Sequence, residues 1–339
     1  MLTAPEIAKL AAFLGDALSC KAPAKIENLA RIHGGASRET YSFDLIAADE
    51  TRAMILRRDP ADSLIETERA LEFAAYRSLE GANVPAPRAL VLAADCNVIG
   101  APFFVMEQVE NPQTGSPFNL ASFGKHGPAI GRDMFAVLGR IAAIDPHKSA
   151  LAKTTATPAP SECWRRELDH WANVIAEDSL EPQPIAQAAI RRLRANPPPP
   201  PAQLSIIHGD YRIGNFLHDG AGAITGVLDW EMAHIGDAHE DLGWALDPLW
   251  WPGEGLIPFD DAITIWQRES GQEFDAARYR WWSLFASVKG LAIWISAGRT
   301  FEDGKNTDPV IAFSSWFCLA RHNQIIAERL AAAPRGALP

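Results

Sequence analysis

Two short apolar runs, each ending in a cluster of polar residues, constrain this chain more than any other feature. The first is Ile206-Ile207, followed by His208-Gly209-Asp210-Tyr211-Arg212-Ile213-Gly214-Asn215; the second is Val227-Leu228, followed by Asp229-Trp230-Glu231. Such punctuation specifies a strand, a glycine-containing turn and a further strand. Taken singly, either half also fits an ordinary hairpin turn. In order, they place an aspartate, an amide five residues later and a second aspartate fourteen residues beyond that at the ends of apolar runs. That is the minimum equipment for moving a phosphoryl group from a magnesium-bound nucleotide to a hydroxyl, a reaction that needs positioned charge more than covalent help. One carboxylate must face the acceptor hydroxyl, while an amide oxygen and a second carboxylate hold the metal on the phosphates. Asp210, Asn215 and Asp229 fit these three tasks.

With 339 residues the chain exceeds the size at which one core stops growing, so two lobes are expected. Tryptophan usage divides it, because all eleven lie between Trp164 and Trp316. The first part reads as α+β: an amphipathic helix over Pro5–Leu18, strands over Ile26–Ile32, Thr40–Ala47 and Arg52–Arg57, a helix over Leu64–Leu79 and a buried strand over Phe103–Val109. Glu110–Pro117 reads as a linker. Helices are then expected over Ala129–Ile144, Glu162–Ile175, Ile185–Arg194, Phe259–Glu269, Ala276–Ala297 and Pro309–Ala333. The five prolines Pro197–Pro201 read as a stiff surface connector.

A formal net charge of −11 argues against nucleic acid as a partner, since phosphate backbones need a basic face. Cys20, Cys96, Cys163 and Cys318 are too scattered for a zinc site or a disulfide framework. Glu6 and Asp16 interrupt the N-terminus, so no signal peptide is read there, and no apolar stretch is long enough to span a bilayer. The expectation is a cytoplasmic protein with reduced thiols.

The segment from His208 to Asn215 and the run Val227-Leu-Asp-Trp-Glu-Met-Ala-His-Ile-Gly-Asp237 resemble the aminoglycoside phosphotransferase and choline kinase-like family. Within it they are most similar to the branch related to kinase-like domains fused to acyl-CoA dehydrogenases. The resemblance runs from about Ile26 to Asp247 and is strongest over Ile206–Trp244. It implies an α+β, protein-kinase-like fold of two lobes. The small N-terminal lobe, with an antiparallel sheet, would be residues 1–110; the larger, mostly helical C-terminal lobe would be 111–339. ATP and Mg2+ would lie between them. Asp210 would be the catalytic base, Asn215 and Asp229 the magnesium ligands, and His208 and Asp241 braces of the catalytic loop.

The N-terminal half contains matching parts in order. Gly34, Gly35 and Ser37 lie in a turn between the first two strands, suited to close approach of phosphates. Pro102–Val109 matches the family's hinge strand, with Met106, Glu107 and Val109 at the nucleotide; the Glu107 carbonyl and Val109 N–H would pair with adenine. The third strand departs from the family pattern. No lysine occurs between Lys25 and Lys125, and Met54-Ile55-Leu56-Arg57 stands where one is usual. Strand alternation puts Ile55 and Arg57 on one face, Leu56 and Arg58 on the other. Arg57 is therefore the candidate phosphate cation, with Glu72 as its helix partner and Glu68 as a rival.

The acceptor is expected to be a hydroxylated small molecule with an apolar part, because the tryptophans concentrate in the helical lobe. Trp281 and Trp282, being adjacent, are not expected to face the same core. Asp237, Glu240, Asp247 and Glu254 are the carboxylates that could serve a polycationic antibiotic instead. Two other classes stay open. A metal-dependent phosphoesterase would use His208, Asp210 and the Gly236-Asp-Ala-His-Glu run as ligands; a nucleotide-binding pseudokinase would account for the missing lysine. Protein-kinase activity is not expected, since no activation segment separates Asp229 from Asp241.

Overall fold

The computed structural model describes residues 2–32, 39–58, 67–253, 255–332 and 338, with backbone only at Thr67 and Glu68. Helix α1 (Ala4–Ala17) precedes a meander of β1 (Lys25–Ile32), β2 (Glu39–Ala47) and β3 (Glu50–Arg58). Helix α2 (Thr67–Ser78), β4 (Ala89–Ala93) and β5 (Phe103–Glu107) follow. The five strands form one sheet in the order β1-β2-β3-β5-β4, antiparallel throughout.

The two-residue period of β3 decides what each side chain joins. Met54 and Leu56 pack with Phe43, Phe103, Val105 and with Leu10 and Leu14 of α1. Ile55 faces the other way, into a core shared with Phe104, Tyr76 and Leu79 that continues through the helical part of the molecule. Arg57 has the parity of Ile55, so β3 aims its guanidinium at α2. Strand β4 was not legible as an element: Ala89-Leu-Val-Leu-Ala is apolar throughout and has no polar alternation to mark it.

The segment 110–117 departs from the linker expectation. It contains β6 (Gln113–Thr114), which pairs antiparallel with β8 (Phe216–His218) and ties the crossover to the strand that follows Asn215. Two residues are too few to show a period.

Helices α3 (Gly127–Ala142), α4 (Cys163–Asp178) and α5 (Pro184–Ala195) lead to four short strands. Of these, β7 (Ser205–Ile207) pairs with β10 (His234–Gly236), and β8 pairs with β9 (Ile224–Val227). Then come α6 (His239–Ala245), α7 (Phe259–Ser270), α8 (Ala276–Glu302) and α9 (Pro309–Ala332). Sheet-bearing and helical parts make a two-lobe α+β fold.

Helix α8 is the spine of the helical lobe, buried at every position from Trp281 to Ala292 and packed against α4, α5, α6 and α9. Enclosure on all sides corrects the expectation for the tryptophan pair: both rings are fully buried in one core. Trp281 donates to the Leu193 carbonyl of α5, and Trp282 donates to Asp237 just before α6. Helix α6 approaches α8 closely through Gly243, where a Cβ would lie 2.7 Å from the Trp282 carbonyl carbon. Among the described residues, no helix is long and apolar enough to cross a membrane.

Candidate active site

Strand β7 delivers the chain to a turn at Gly209, where φ is 82° and an added Cβ would lie 2.6 Å from the Met232 carbonyl oxygen. Only glycine suits that backbone and that space. The N–H groups of His208 and Gly209 donate to the two oxygens of Asp241, at 2.7 and 2.9 Å. Burial raises the Asp241 carboxyl above its ordinary range, against the opposing pull of His208 and these two donors. The His208 ring accepts from the Asp210 N–H at Nδ1 (3.1 Å), so Nε2 carries the proton it donates to the Leu228 carbonyl (2.9 Å). One imidazole thus joins the turn to the residue before Asp229.

Asp210 is held by three donors. Its Oδ1 accepts from Trp244 Nε1 at 2.8 Å and from Arg212 Nε at 3.0 Å; its Oδ2 accepts from Asn215 Nδ2 at 2.6 Å. The same amide nitrogen reaches the Asp210 carbonyl at 2.9 Å, which leaves the Asn215 amide oxygen as a hard donor. The Arg212 guanidinium in turn lies 4.6 Å from the ring centre of Trp250. Such fixation restricts the carboxylate to one orientation, as a group facing a hydroxyl requires.

Asn215 and Asp229 are set side by side, because the Leu228 N–H donates to the Asn215 carbonyl at 2.8 Å. Asp229 has a left-handed backbone, φ 68° and ψ 57°, an uncommon conformation for a side-chain-bearing residue. Tyr76 of α2 stabilises it by accepting the Asp229 N–H at its hydroxyl, 3.3 Å away. Two oxygen-donor side chains at neighbouring positions fit Mg2+, which takes hard oxygen ligands.

Arg57 bridges the lobes. Its Nη1 lies 2.5 Å from Glu72 Oε1 on α2, and its Nη2 lies 3.0 Å from Asp229 Oδ1. Burial alone would lower the guanidinium pKa; Glu72, with Asp229, outweighs it and holds the charge more firmly than usual. Arg69 Nη1 donates to the other Glu72 oxygen at 3.1 Å, so two arginines flank one fully buried carboxylate. A forked side chain can touch both acids at once, which an ammonium on a flexible stem cannot do with fixed geometry.

The remaining predicted residues lie elsewhere on this frame or outside the described residues. Met106 and Glu107 close β5, where Met106 is buried opposite Ile55 and Glu107 opposite Met54. Val109 follows the strand and packs near Gly226, where an added Cβ would be 3.2 Å from its side chain. Gly34, Gly35 and Ser37 fall outside the described residues, as does the Glu68 side chain. Several groups at the site were not singled out beforehand: Trp244, Arg212, Tyr76, Arg69 and Lys289. Lys289 of α8 donates to the Gly209 carbonyl at 2.6 Å and to Glu240 at 3.1 Å. Arg212 stood inside the motif itself; Trp244 and Lys289 reach it only through tertiary packing.

The histidines near the loop are held by contacts within the protein. His239 accepts the Asp275 N–H at Nε2 and packs between Phe274 and Trp266, and both nitrogens of His208 are engaged. Glu167, His234 and Glu240 lie within metal-binding reach of one another. Yet His234 faces the Met232 carbonyl at Nδ1 and Glu240 at Nε2, both acceptors, so both nitrogens carry protons. The group is a closed ion pair.

Comparison with known proteins agrees with this architecture. The chain resembles acyl-CoA dehydrogenase family member 11 of Gallus gallus (28% identity over 65% of this chain and 30% of that protein). It is also similar to family member 10 of Mus musculus (28% identity over 62% of this chain and 19% of that protein). It therefore spans less than a third of the length of either relative. A crystal structure from Ralstonia eutropha JMP134, assigned as an aminoglycoside phosphotransferase, superposes with a TM-score of 0.71 at 19% identity, covering 94% of this chain and 98% of that one. Aminoglycoside phosphotransferase APH(4)-Ia, in a ternary complex with ADP and hygromycin B, gives 0.61 at 17% identity over 96% and 100%. The fold is thus the kinase-like one of these phosphotransferases. The sequence profile of the phosphotransferase enzyme family matches residues 28–282, well over half of the chain, and the protein belongs to that family.

Proposed function

We propose that this protein transfers the γ-phosphoryl group of ATP to a hydroxyl of a small molecule. One observation carries the reading: a continuous polar path runs from Glu72 through Arg57 to Asp229, and Asn215 beside it reaches Asp210. Nothing in a plain hairpin requires a partly buried arginine to join a helix of one lobe to a strand end of the other. In this reading residues 1–110 form the nucleotide lobe and 111–339 the acceptor lobe. Gly34, Gly35 and Ser37 cover the phosphates, and Met106, Glu107 and Val109 line the adenine end. Arg57, oriented by Glu72, contacts the phosphates.

Asn215 and Asp229 would hold Mg2+, which when bound neutralises charge developing on the phosphates. Asp210 orients the acceptor hydroxyl and takes its proton as the oxygen attacks phosphorus. Trp244, Arg212 and Asn215 keep its carboxylate in line. Phosphotransferase relatives of this fold bind nucleotides and antibiotics such as hygromycin B, which supports nucleotide use and a small-molecule acceptor. A reaction drawing on ATP also suits a cytoplasmic protein.

The test is ADP release across hydroxylated metabolites, amino alcohols, hydroxy acids and aminoglycosides, with Asp210→Asn as control. ADP formation that falls on the order of 10²-fold or more in the variant supports the reading. Release of free phosphate without an acceptor would favour a phosphoesterase. Arginine in place of the usual lysine favours one other reading, a nucleotide-binding pseudokinase. It would be upheld by undetectable turnover together with nucleotide-induced stabilisation that Asp210→Asn leaves intact.

A further inference from the structure

The face beside the catalytic loop carries an unusual amount of exposed aromatic surface. Phe118, Val310, Phe313 and Trp316 are each more than half exposed, at 62%, 65%, 58% and 69%, and Phe317 is 42% exposed. Their rings are ordered against one another: Phe313 stacks on Phe317 at 5.6 Å, Trp316 lies 6.1 Å from Phe313, and Phe118 meets Phe317 at 6.5 Å. Contiguous apolar surface of this kind is seldom left without an occupant.

Its position ties it to the site. Phe118 follows Pro117, whose Cδ lies 4.0 Å from where a Gly214 Cβ would be, so the patch begins at the catalytic loop. A second aromatic series leads outward from Asp210 through Trp244, Trp250 and Trp294, with ring separations of 5.5 and 6.0 Å. Trp294 donates to His322 of α9, so this series ends on the helix that carries Phe313 and Trp316.

Of the four carboxylates that could serve a polyammonium ligand, Glu254 lies outside the described residues and the other three are committed elsewhere. Asp237 is taken by Trp282 and Arg278, Glu240 by His234 and Lys289, and Asp247 by His322 and Ser287, all buried. At the surface Asp303 pairs with Arg299 and Lys305, and Asp308 caps α9 through the Val310 N–H.

Resting on the kinase reading above, we infer that the acceptor is a hydroxylated molecule with an extended apolar portion, laid across Phe118, Phe313, Trp316 and Phe317. The hydroxyl sits at Asp210 and the apolar portion runs along the first half of α9.

A homologous series of straight-chain 1,2-diols, butane- to decane-, tests this on the full chain, by calorimetric binding and by ADP release. Affinity, and kcat/KM where turnover occurs, should rise roughly fourfold per added methylene. The Phe313→Ala/Trp316→Ala variant, with unchanged Tm, should flatten that slope. A slope that survives in the variant, or its absence in the wild type beside efficient turnover of polar or polyammonium acceptors, overturns the inference while leaving the kinase reading intact. Chain-length-dependent binding without ADP release upholds the apolar site and counts against the kinase. Concentration-dependent dimerisation in sedimentation, abolished by Trp316→Ala, would assign the face to a second copy and overturn the inference.

Discussion

The indole Nε1 of Trp244 donates to Oδ1 of Asp210 at 2.8 Å, across 34 positions of sequence. Trp244 is buried on α6, so its donor cannot drift, and it shares Oδ1 with Arg212. Removing the N–H while keeping the ring isolates this contact. Trp244→Phe should lower kcat on the order of tenfold or more, since a hydrogen bond to a charged group contributes about 1.5–3 kcal/mol. If Asp210 faces the acceptor as proposed, KM for ATP should stay within a factor of about two, because the lost hydrogen bond is to Asp210 alone. Steady-state kinetics with both substrates varied checks it, and a loss expressed mainly in KM for ATP would count against the assignment.

The buried acid between two arginines predicts a different signature. Glu72→Gln keeps the shape and removes the charge that Arg57 and Arg69 share. Breaking a buried pair by deleting one partner costs about 3–5 kcal/mol. A clear fall in the denaturant midpoint should accompany weakened ATP binding. Arg57→Lys is expected to restore little, because one ammonium cannot reproduce the two-pronged contact with Glu72 and Asp229. Full activity in Arg57→Lys, measured as ADP release at saturating ATP, would show that the fork is dispensable.

How much of this was legible beforehand depended on whether the signal was local. Asp210, Asn215 and Asp229 sit in short segments whose glycine and strand punctuation can be read directly, and the parity of Ile55 and Arg57 follows from a period of two. The pairing of Arg57 with Glu72 was visible only as order along the chain. Strand β4 has no alternation, β6 is too short to show one, and α6 is a seven-residue helix whose faces are all buried. Trp281 and Trp282 show the same limit: a helix enclosed on every side gives adjacent residues one core, which spacing cannot reveal. Trp244 and Lys289 meet the catalytic loop through α6 and α8, contacts that exist only once the helices have packed.

The ion pair beneath the loop makes stability depend on pH. Burial opposes the charge on His234, but Glu167 and Glu240 raise its pKa from the ordinary 6.5 to about 9. Burial likewise opposes the charge on Glu240, and His234 with Lys289 lowers its pKa from 4.5 to about 2. A raised histidine contributes stability that is complete below its unfolded pKa and lost as pH rises through the folded one. The lowered glutamate contributes above its unfolded value and loses it toward acid. Both contributions are therefore whole between about pH 4.5 and 6.5, and Tm should fall from about pH 6.5 to 9. His234→Gln should start lower and flatten that alkaline limb. A variant whose Tm profile parallels the wild type across this interval would refute the linkage.

Lys289 gives the last prediction, because it serves two partners that can be separated. Its ammonium is buried, donates to the Gly209 carbonyl at 2.6 Å and to Glu240 at 3.1 Å, and lies over the Trp244 ring at 5.3 Å. Lys289→Met strands part of the Glu240 charge, a loss on the order of 3 kcal/mol, and also releases the turn that aims Asp210. Pairing it with Glu240→Gln removes the stranded charge, so the double variant should regain much of the lost Tm. Turnover should not return with it, since neither substitution restores a donor for the Gly209 carbonyl or a cation over Trp244. Recovery of kcat together with Tm would reduce Lys289 to a partner of Glu240, whereas recovery of Tm alone identifies it as the group that positions the Asp210 turn.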